Sequence, residues 1–305
     1  MNRRGLVVCL TGLLGTIPTL GFQNAVGAES VNMAGQIVRE IRPSQTDPRI
    51  QNFDFDHLVI VNSGTRLDVP LVIFLPGTHG RPANATGLLR VVASQGYRVI
   101  GLEYADAVAA TKACLLDSPY DCYERFRRQE VFGRAAAQAD DDPNAIEPRL
   151  VHLLEYLNQR YPAEGWDSYL TVGRPAWSRI VVSGFSQGAG MAAYIAKREL
   201  VARVVLFSSP WDSNHGSGAP APWLSRPSAT PPESWFAEYH MHEETAAKIV
   251  RAYAALRIPR DHILIFNKSL PADLHVSGSD NPFHISTIKL LDYEPQWRVL
   301  FGSPP

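Results

Sequence analysis

The run Ile180-Val-Val-Ser-Gly-Phe-Ser-Gln-Gly-Ala-Gly190 carries two structural signals at once. Its first half is a short β-branched stretch, the pattern of a strand buried on both faces. Its second half opens an alanine-rich segment, Gln187 to Glu199, with the composition of a helix. Between them Gly184-Phe185-Ser186-Gln187-Gly188 spells G-x-S-x-G at a strand-to-helix turn. So sharp a turn forces Ser186 into strained backbone angles and lifts its hydroxyl clear of the sheet. Gly184 and Gly188 fall where strand and helix approach too closely for a Cβ. The helix starting at Gln187 aims its amino end, with its partial positive charge, at any anion forming beside Ser186. A nucleotide-binding glycine turn fits less well. Gly184, Gly188 and Gly190 do not give G-x-G-x-x-G, and no acidic ribose partner stands at the next strand end.

Outward from this run, apolar stretches recur at Leu58–Val61, Leu71–Leu75, Arg98–Glu103, Ala202–Phe207, Trp235–Tyr239 and His262–Phe266. Helical spacing falls between them. Glu147–Tyr161 puts Leu150, Leu153, Leu154 and Leu157 on one face, and Thr245–Leu256 does the same with Ile249, Val250, Tyr253 and Leu256. Strands alternating with helices predict a doubly wound α/β sheet with right-handed crossovers. Residues 29–51 read as a polar, flexible segment, and 52–305 as one domain. The Pro/Gly/Ser-rich stretch 211–233 is too long for a turn and reads as a functional loop or lid.

Composition narrows the function. Lys and Arg total 29 against 30 Asp and Glu, which excludes a general nucleic-acid binder. Three cysteines are too few for a disulfide scaffold or a four-cysteine zinc site. The start of the chain looks like a secretory signal peptide over residues 1–28. Arg3 and Arg4 precede an uncharged stretch that ends in the small residues Val26-Gly27-Ala28. Glycines and Pro18 break that stretch up, which argues against a stable membrane span. The protein is thus expected to be secreted or periplasmic. Its removal takes Cys9 and leaves Cys114 and Cys122, which are expected to form a disulfide in an oxidising compartment.

A serine nucleophile needs a base, and the base needs an orienter. In this fold class the order along the chain is serine, acid, histidine. His284 is the favoured base, with His275 as its rival. Glu243, just after the strand 235–239, is the favoured acid, with Asp212 and Glu244 as alternatives. The backbone N–H of Gln187 and that of Thr78, in the loop Pro76-Gly-Thr-His-Gly-Arg81, are the candidate oxyanion donors. His79, Trp211 and Trp223 are candidate substrate contacts. His240 and His242 form an H-x-H pair without a third ligand at convincing spacing, so no metal and no cofactor is called for.

These residues resemble the α/β-hydrolase superfamily, and several segments are similar to one secreted bacterial branch of it. They are Leu75-Pro-Gly-Thr78, Tyr104…Cys114…Cys122-Tyr123…Gly133, Gly184–Gly188, Tyr239-His-Met-His-Glu243 and Pro282-Phe-His284, spread over residues 55–295. In that branch the Tyr-His-x-x-acid pattern usually ends in aspartate, where this chain has Glu243. The resemblance implies an eight-stranded, mostly parallel sheet with helices on both faces and a Ser-His-acid triad. Members of that superfamily cleave esters, amides, lactones and other bonds, so the fold does not choose the substrate; the leading expectation is hydrolysis of a small-molecule ester, with carboxylesterase activity first and a lipase or polyester depolymerase next. The rival from another class is a non-catalytic relative that binds a ligand or partner.

Overall fold

Unbroken aliphatic runs must be covered on both faces, and the central sheet is covered in that way. The structure, a computed structural model, describes residues 28–31, 35–116, 118–133, 142–271 and 281–304. The expected signal peptide, apart from its last residue, therefore lies outside the described residues, as does His275.

The strands are β1 (Ala28–Val31), β2 (Gln36–Ile41), β3 (His57–Asn62), β4 (Leu71–Leu75), β5 (Arg98–Gly101), β6 (Leu170–Thr171), β7 (Arg174–Pro175), β8 (Ile180–Phe185), β9 (Arg203–Phe207), β10 (Trp235–His240) and β11 (Ile263–Phe266). Apart from the small β6–β7 hairpin, they form one sheet in the order β1-β2-β3-β5-β4-β8-β9-β10-β11. Neighbours from β5 to β11 run parallel, and β1, β2 and β3 add antiparallel pairings at one edge. The eight expected strands are present, with β1 as a ninth outside them.

The helices are α1 (Pro43–Thr46), α2 (Thr86–Ser94), α3 (Ala110–Ala113), α4 (Cys122–Phe132), α5 (Ile146–Arg160), α6 (Gln187–Arg198), α7 (Pro222–Ser225), α8 (Ala246–Leu256), α9 (Pro282–Lys289) and α10 (Glu294–Phe301). Side-chain alternation along β4 shows how they share the sheet. Leu71, Ile73 and Leu75 enter the core under α4, α5, α6 and α8, while Val72 and Phe74 enter the opposite core with α2, α9 and α10. No helix among the described residues is long and apolar enough to cross a membrane.

One expectation is corrected. Residues 36–51, read as flexible, belong to the folded body. β2 pairs with β3 along its full length, with Ile37 opposite Val61 and Arg39 opposite Val59. Its polar residues look like those of a loop because their partners are distant in sequence. Gln36 Nε2 donates to the Arg90 carbonyl at 2.9 Å, and Arg39 forks onto Glu164 at 2.7 and 2.9 Å. The Ser44 N–H and hydroxyl then fasten α1 to Asp54, both at 2.7 Å.

After β4 the chain goes to β5 on one side and later to β8 on the other. The crevice between the carboxyl ends of β4 and β8 is therefore a topological switch point, where open α/β sheets bind ligands. Two devices shape its surroundings. Cys114, capping α3, is disulfide-bonded to Cys122, the first residue of α4. The loop 211–233 is fastened over its second half to α6. The Ala229 and Thr230 N–H groups donate to Lys197 and Ala196 carbonyls, and Lys197 Nζ donates to the carbonyls of Leu224 and Arg226.

Replacing both cysteines, as Cys114→Ser with Cys122→Ser, is expected to cost about 2–3 kcal/mol in urea unfolding, the chain entropy of so short a loop. Equal stability of the variant and the unreduced protein would contradict this.

Candidate active site

Ser186 follows β8 directly and has φ 54° and ψ −119°, a conformation costly for any residue with a side chain. Its N–H donates to the Phe207 carbonyl at 3.0 Å, tying the turn to the end of β9. The flanking glycines are sterically required. A Cβ on Gly188 would collide with the Leu75 carbonyl, and one on Gly184 with the Gly188 backbone. A Cβ on Gly77 would stand 3.0 Å from the Ser186 Cβ, so the loop after β4 also lies against the serine. Thr78, Ser186, Gln187 and Trp211 line one small cavity there. Gln187 and Gly188 occupy the first turn of α6, where backbone N–H groups have no carbonyl within the helix to bind. The Gln187 side chain closes the cavity wall, accepting from the Ala110 N–H and donating to the Val108 carbonyl.

His284 stands on the first turn of α9, which Asn281 caps by accepting the His284 N–H. The imidazole packs between Phe185, at 4.4 Å between ring centroids, and Trp211, at 5.0 Å. Phe185 is the residue before Ser186, so the ring lies beside the turn. Its Nδ1 is 2.9 Å from Glu243 Oε2. A carboxylate only accepts, so Nδ1 carries the proton and Nε2 is the nitrogen left over.

Glu243 is buried, and its other oxygen is held as firmly. Oε1 accepts from the His240 N–H at 2.7 Å and from the Ser208 hydroxyl at 2.6 Å. The Glu243 N–H donates back to the His240 carbonyl, so residues 240–243 make a tight turn. That turn brings the longer glutamate back over the end of its own strand, which absorbs its extra methylene.

The alternative acids are placed differently. Glu244 is exposed. Asp212 is buried and paired with Arg127, whose guanidinium donates to both carboxylate oxygens at 2.7 and 3.1 Å. Trp223 Nε1 donates to Asp212 as well, at 3.0 Å, and its ring packs edge-on against Tyr194. Trp223, expected to meet substrate, is therefore a core side chain that helps hold Asp212. Trp211 does line the cavity, with Nε1 anchored on the Ser208 carbonyl. His79 is exposed, and its backbone is positioned by Asp106. In the H-x-H pair, both His240 ring nitrogens are engaged, one by the His242 N–H and the other by the Lys268 carbonyl.

Three further residues matter at the site and carry no local sequence signal. Arg127, on α4, also donates to the Gln187 carbonyl at 3.0 Å, joining the start of α6 to Asp212. A Cβ on Gly190 would occupy the place of that guanidinium. Ser208 and Glu238 are the others. Ser208, with φ 55°, lies between two carboxylates, 2.6 Å from Glu243 and 3.3 Å from Glu238. A hydroxyl has one proton to give, and the shorter bond takes it. Burial, and then the charge of Glu243, push the Glu238 carboxyl well above its ordinary value of 4.5, so it stays protonated.

No protein-family model matches the chain, and no curated protein matches it. Solved structures do. The S-formylglutathione hydrolase of Agrobacterium tumefaciens superposes with a TM-score of 0.50 at 10% identity, over 90% of this chain and 99% of that one. The fold is that of the α/β-hydrolases. Esterase 2 of Thermogutta terrifontis is a weaker match, with a TM-score of 0.46 at 13% identity over 90% of this chain and 97% of that one. An esterase of Pyrococcus furiosus gives 0.42 at 14%, over 90% and 89%. Likeness at such identities concerns the α/β-hydrolase fold alone, and the chemistry rests on the residues described above.

Two variants test the electrostatics. A carboxyl that titrates higher in the folded state keeps its proton while the unfolded chain loses its own. Stability then falls as pH rises above 4.5, by at most about 1.4 kcal/mol per pH unit. Burial also raises Glu103, Asp106 and Glu130, so Glu238→Gln is expected to make the decline shallower rather than abolish it, measured as urea stability between pH 5 and pH 8; an unchanged slope in the variant would count against it. Asp212→Asn, which leaves Arg127 without its counter-charge, is expected to cost about 3–5 kcal/mol of stability. A change below 1 kcal/mol, roughly the scale of an exposed pair, would contradict that.

Proposed function

We propose that the chain is a secreted serine hydrolase that cleaves carboxylic esters through an acyl-enzyme on Ser186. The observation that carries this reading is the His284–Glu243 hydrogen bond, made beside the strained turn that presents Ser186. His284 Nε2 removes the Ser186 proton as Oγ attacks the carbonyl carbon. Glu243 holds the imidazole in the required tautomer and stabilises its cationic form. The N–H groups of Gln187 and Thr78 receive the oxyanion, and the amino end of α6 adds its partial charge. Collapse of the tetrahedral intermediate releases the alcohol with the proton held by His284. Water, activated by the same nitrogen, then frees the acid and restores Ser186. Side chains and backbone supply every step, without a metal or cofactor.

Further features support the details. The name of the Agrobacterium structure is that of a hydrolase, in keeping with this chemistry on this fold. The Cys114–Cys122 bond suits an oxidising compartment and so favours export. The Glu243–His284 hydrogen bond, with Asp212 paired instead with Arg127, supports Glu243 as the orienting acid.

Ser186→Ala is expected to abolish ester hydrolysis while leaving the thermal midpoint within a few degrees of the parent. A serine-directed phosphonate is expected to label the folded protein once, at Ser186. Undiminished turnover in the variant would refute the mechanism, and unlabelled, well-folded protein would instead favour a non-catalytic binding protein. Glu243→Gln is expected to lower kcat by about 10³–10⁴-fold without unfolding, the scale of losing the orienting acid. Activity close to the parent's would remove Glu243 from the triad.

A further inference from the structure

The chemistry at Ser186 leaves the disulfide-bearing segment without a task. That segment forms one wall of a cleft of about 470 Å³, and residues 213–225 form the other. The volume falls within the range of about 300–1,000 Å³ usual for small-molecule sites. Leu115, Leu116 and Tyr120 line it while 62%, 67% and 79% exposed, an apolar edge facing solvent.

Three elements join this cleft to the small cavity at Ser186. Ala110 lines the small cavity, and Cys114, four residues on, lines the cleft. Arg127 and Tyr123 do the same along α4. Asp212 and Ser213 do so as consecutive residues. A helical turn advances about 5.4 Å, so along α3 and α4 the cleft lies about one turn from the serine's chamber, and along the loop the two are lined by consecutive residues.

Its chemistry is selective. Among the described residues, no Asp, Glu, Lys or Arg lines it. His215 is held in place, with Nε2 2.6 Å from the Cys114 carbonyl and 3.4 Å from the Tyr123 hydroxyl. A charged ligand would lose hydration against these described residues, whereas an apolar group would cover exposed leucine and tyrosine surface. We infer that this cleft is the subsite for an uncharged, medium-sized apolar group of the ester, with Leu116 and Tyr120 as its principal contacts. The inference rests on Ser186 being the nucleophile. It makes the Cys114–Cys122 bond the brace of a specificity wall.

The test measures kcat/KM in two series, 4-nitrophenyl esters from acetate to octanoate and acetates of alcohols from methyl to octyl. They distinguish an acyl occupant from an alcohol occupant. The wild-type protein is expected to favour the longer member in at least one series, and to favour it over a succinate monoester of similar length. Leu116→Asp and Tyr120→Asp, each an exposed position, are expected to cut that long-to-short ratio by about tenfold. Ratios identical to wild type in both series, or a preference for the charged ester, would overturn the subsite. Should no ester be hydrolysed, the nucleophile reading fails by itself. The cleft is then judged by titration with the uncharged dye Nile red. One-to-one binding that weakens about tenfold in Leu116→Asp upholds it, and equal binding refutes it.

Discussion

The buried guanidinium of Arg127 holds the region above the sheet together. It reaches the Asp212 carboxylate in the long loop and the Gln187 carbonyl at the start of α6, from a helix that begins at the disulfide. Each partner comes from a different part of the chain. A charge taken this far out of water is tolerable only when its donors are matched, and here they are matched by a carboxylate and by peptide and amide oxygens. The walls of the cavity beside Ser186 follow from that constraint. Gln187 is oriented, Trp223 is drawn inward to Asp212, and Trp211 is left to face His284.

Strain collects in the same place. Ser186 and Ser208 both have positive φ, and they follow adjacent parallel strands. The Ser186 N–H binds the last carbonyl of β9, and the Ser208 N–H binds the Glu238 carbonyl in β10. Each strand end is bent by a bond to its neighbour, so the turns are held as a row. Backbone energy stored at these positions is offset by packing below, where the central strands are fully covered.

Much of the fold was legible in the chain because its signals are local. The run Leu71–Leu75 is apolar throughout and forms a strand over those residues, and Gln187–Arg198 forms the alanine-rich helix. The serine turn and the late histidine were readable for the same reason. Legibility ended where partners lie far apart. β2 mixes Gln36, Arg39 and Glu40 with aliphatic residues, and only its pairing with β3 shows it to be a strand. Asp212 stands at a strand end, as a triad acid would, and no local pattern reveals that Arg127 has claimed it. Ser208 and Glu238 resemble ordinary loop and strand residues until the fold places Glu243 between them and the histidine.

Gly190 has the widest reach of any small residue described above. The guanidinium occupies the space that a methyl group on that helix would need. A chain of this fold therefore faces a single choice at two distant positions. It keeps a bare helix face at 190 and a paired arginine at 127, or it fills the face and must find another way to neutralise Asp212. Drift at either site alone is penalised, so the two should change together or remain as they are.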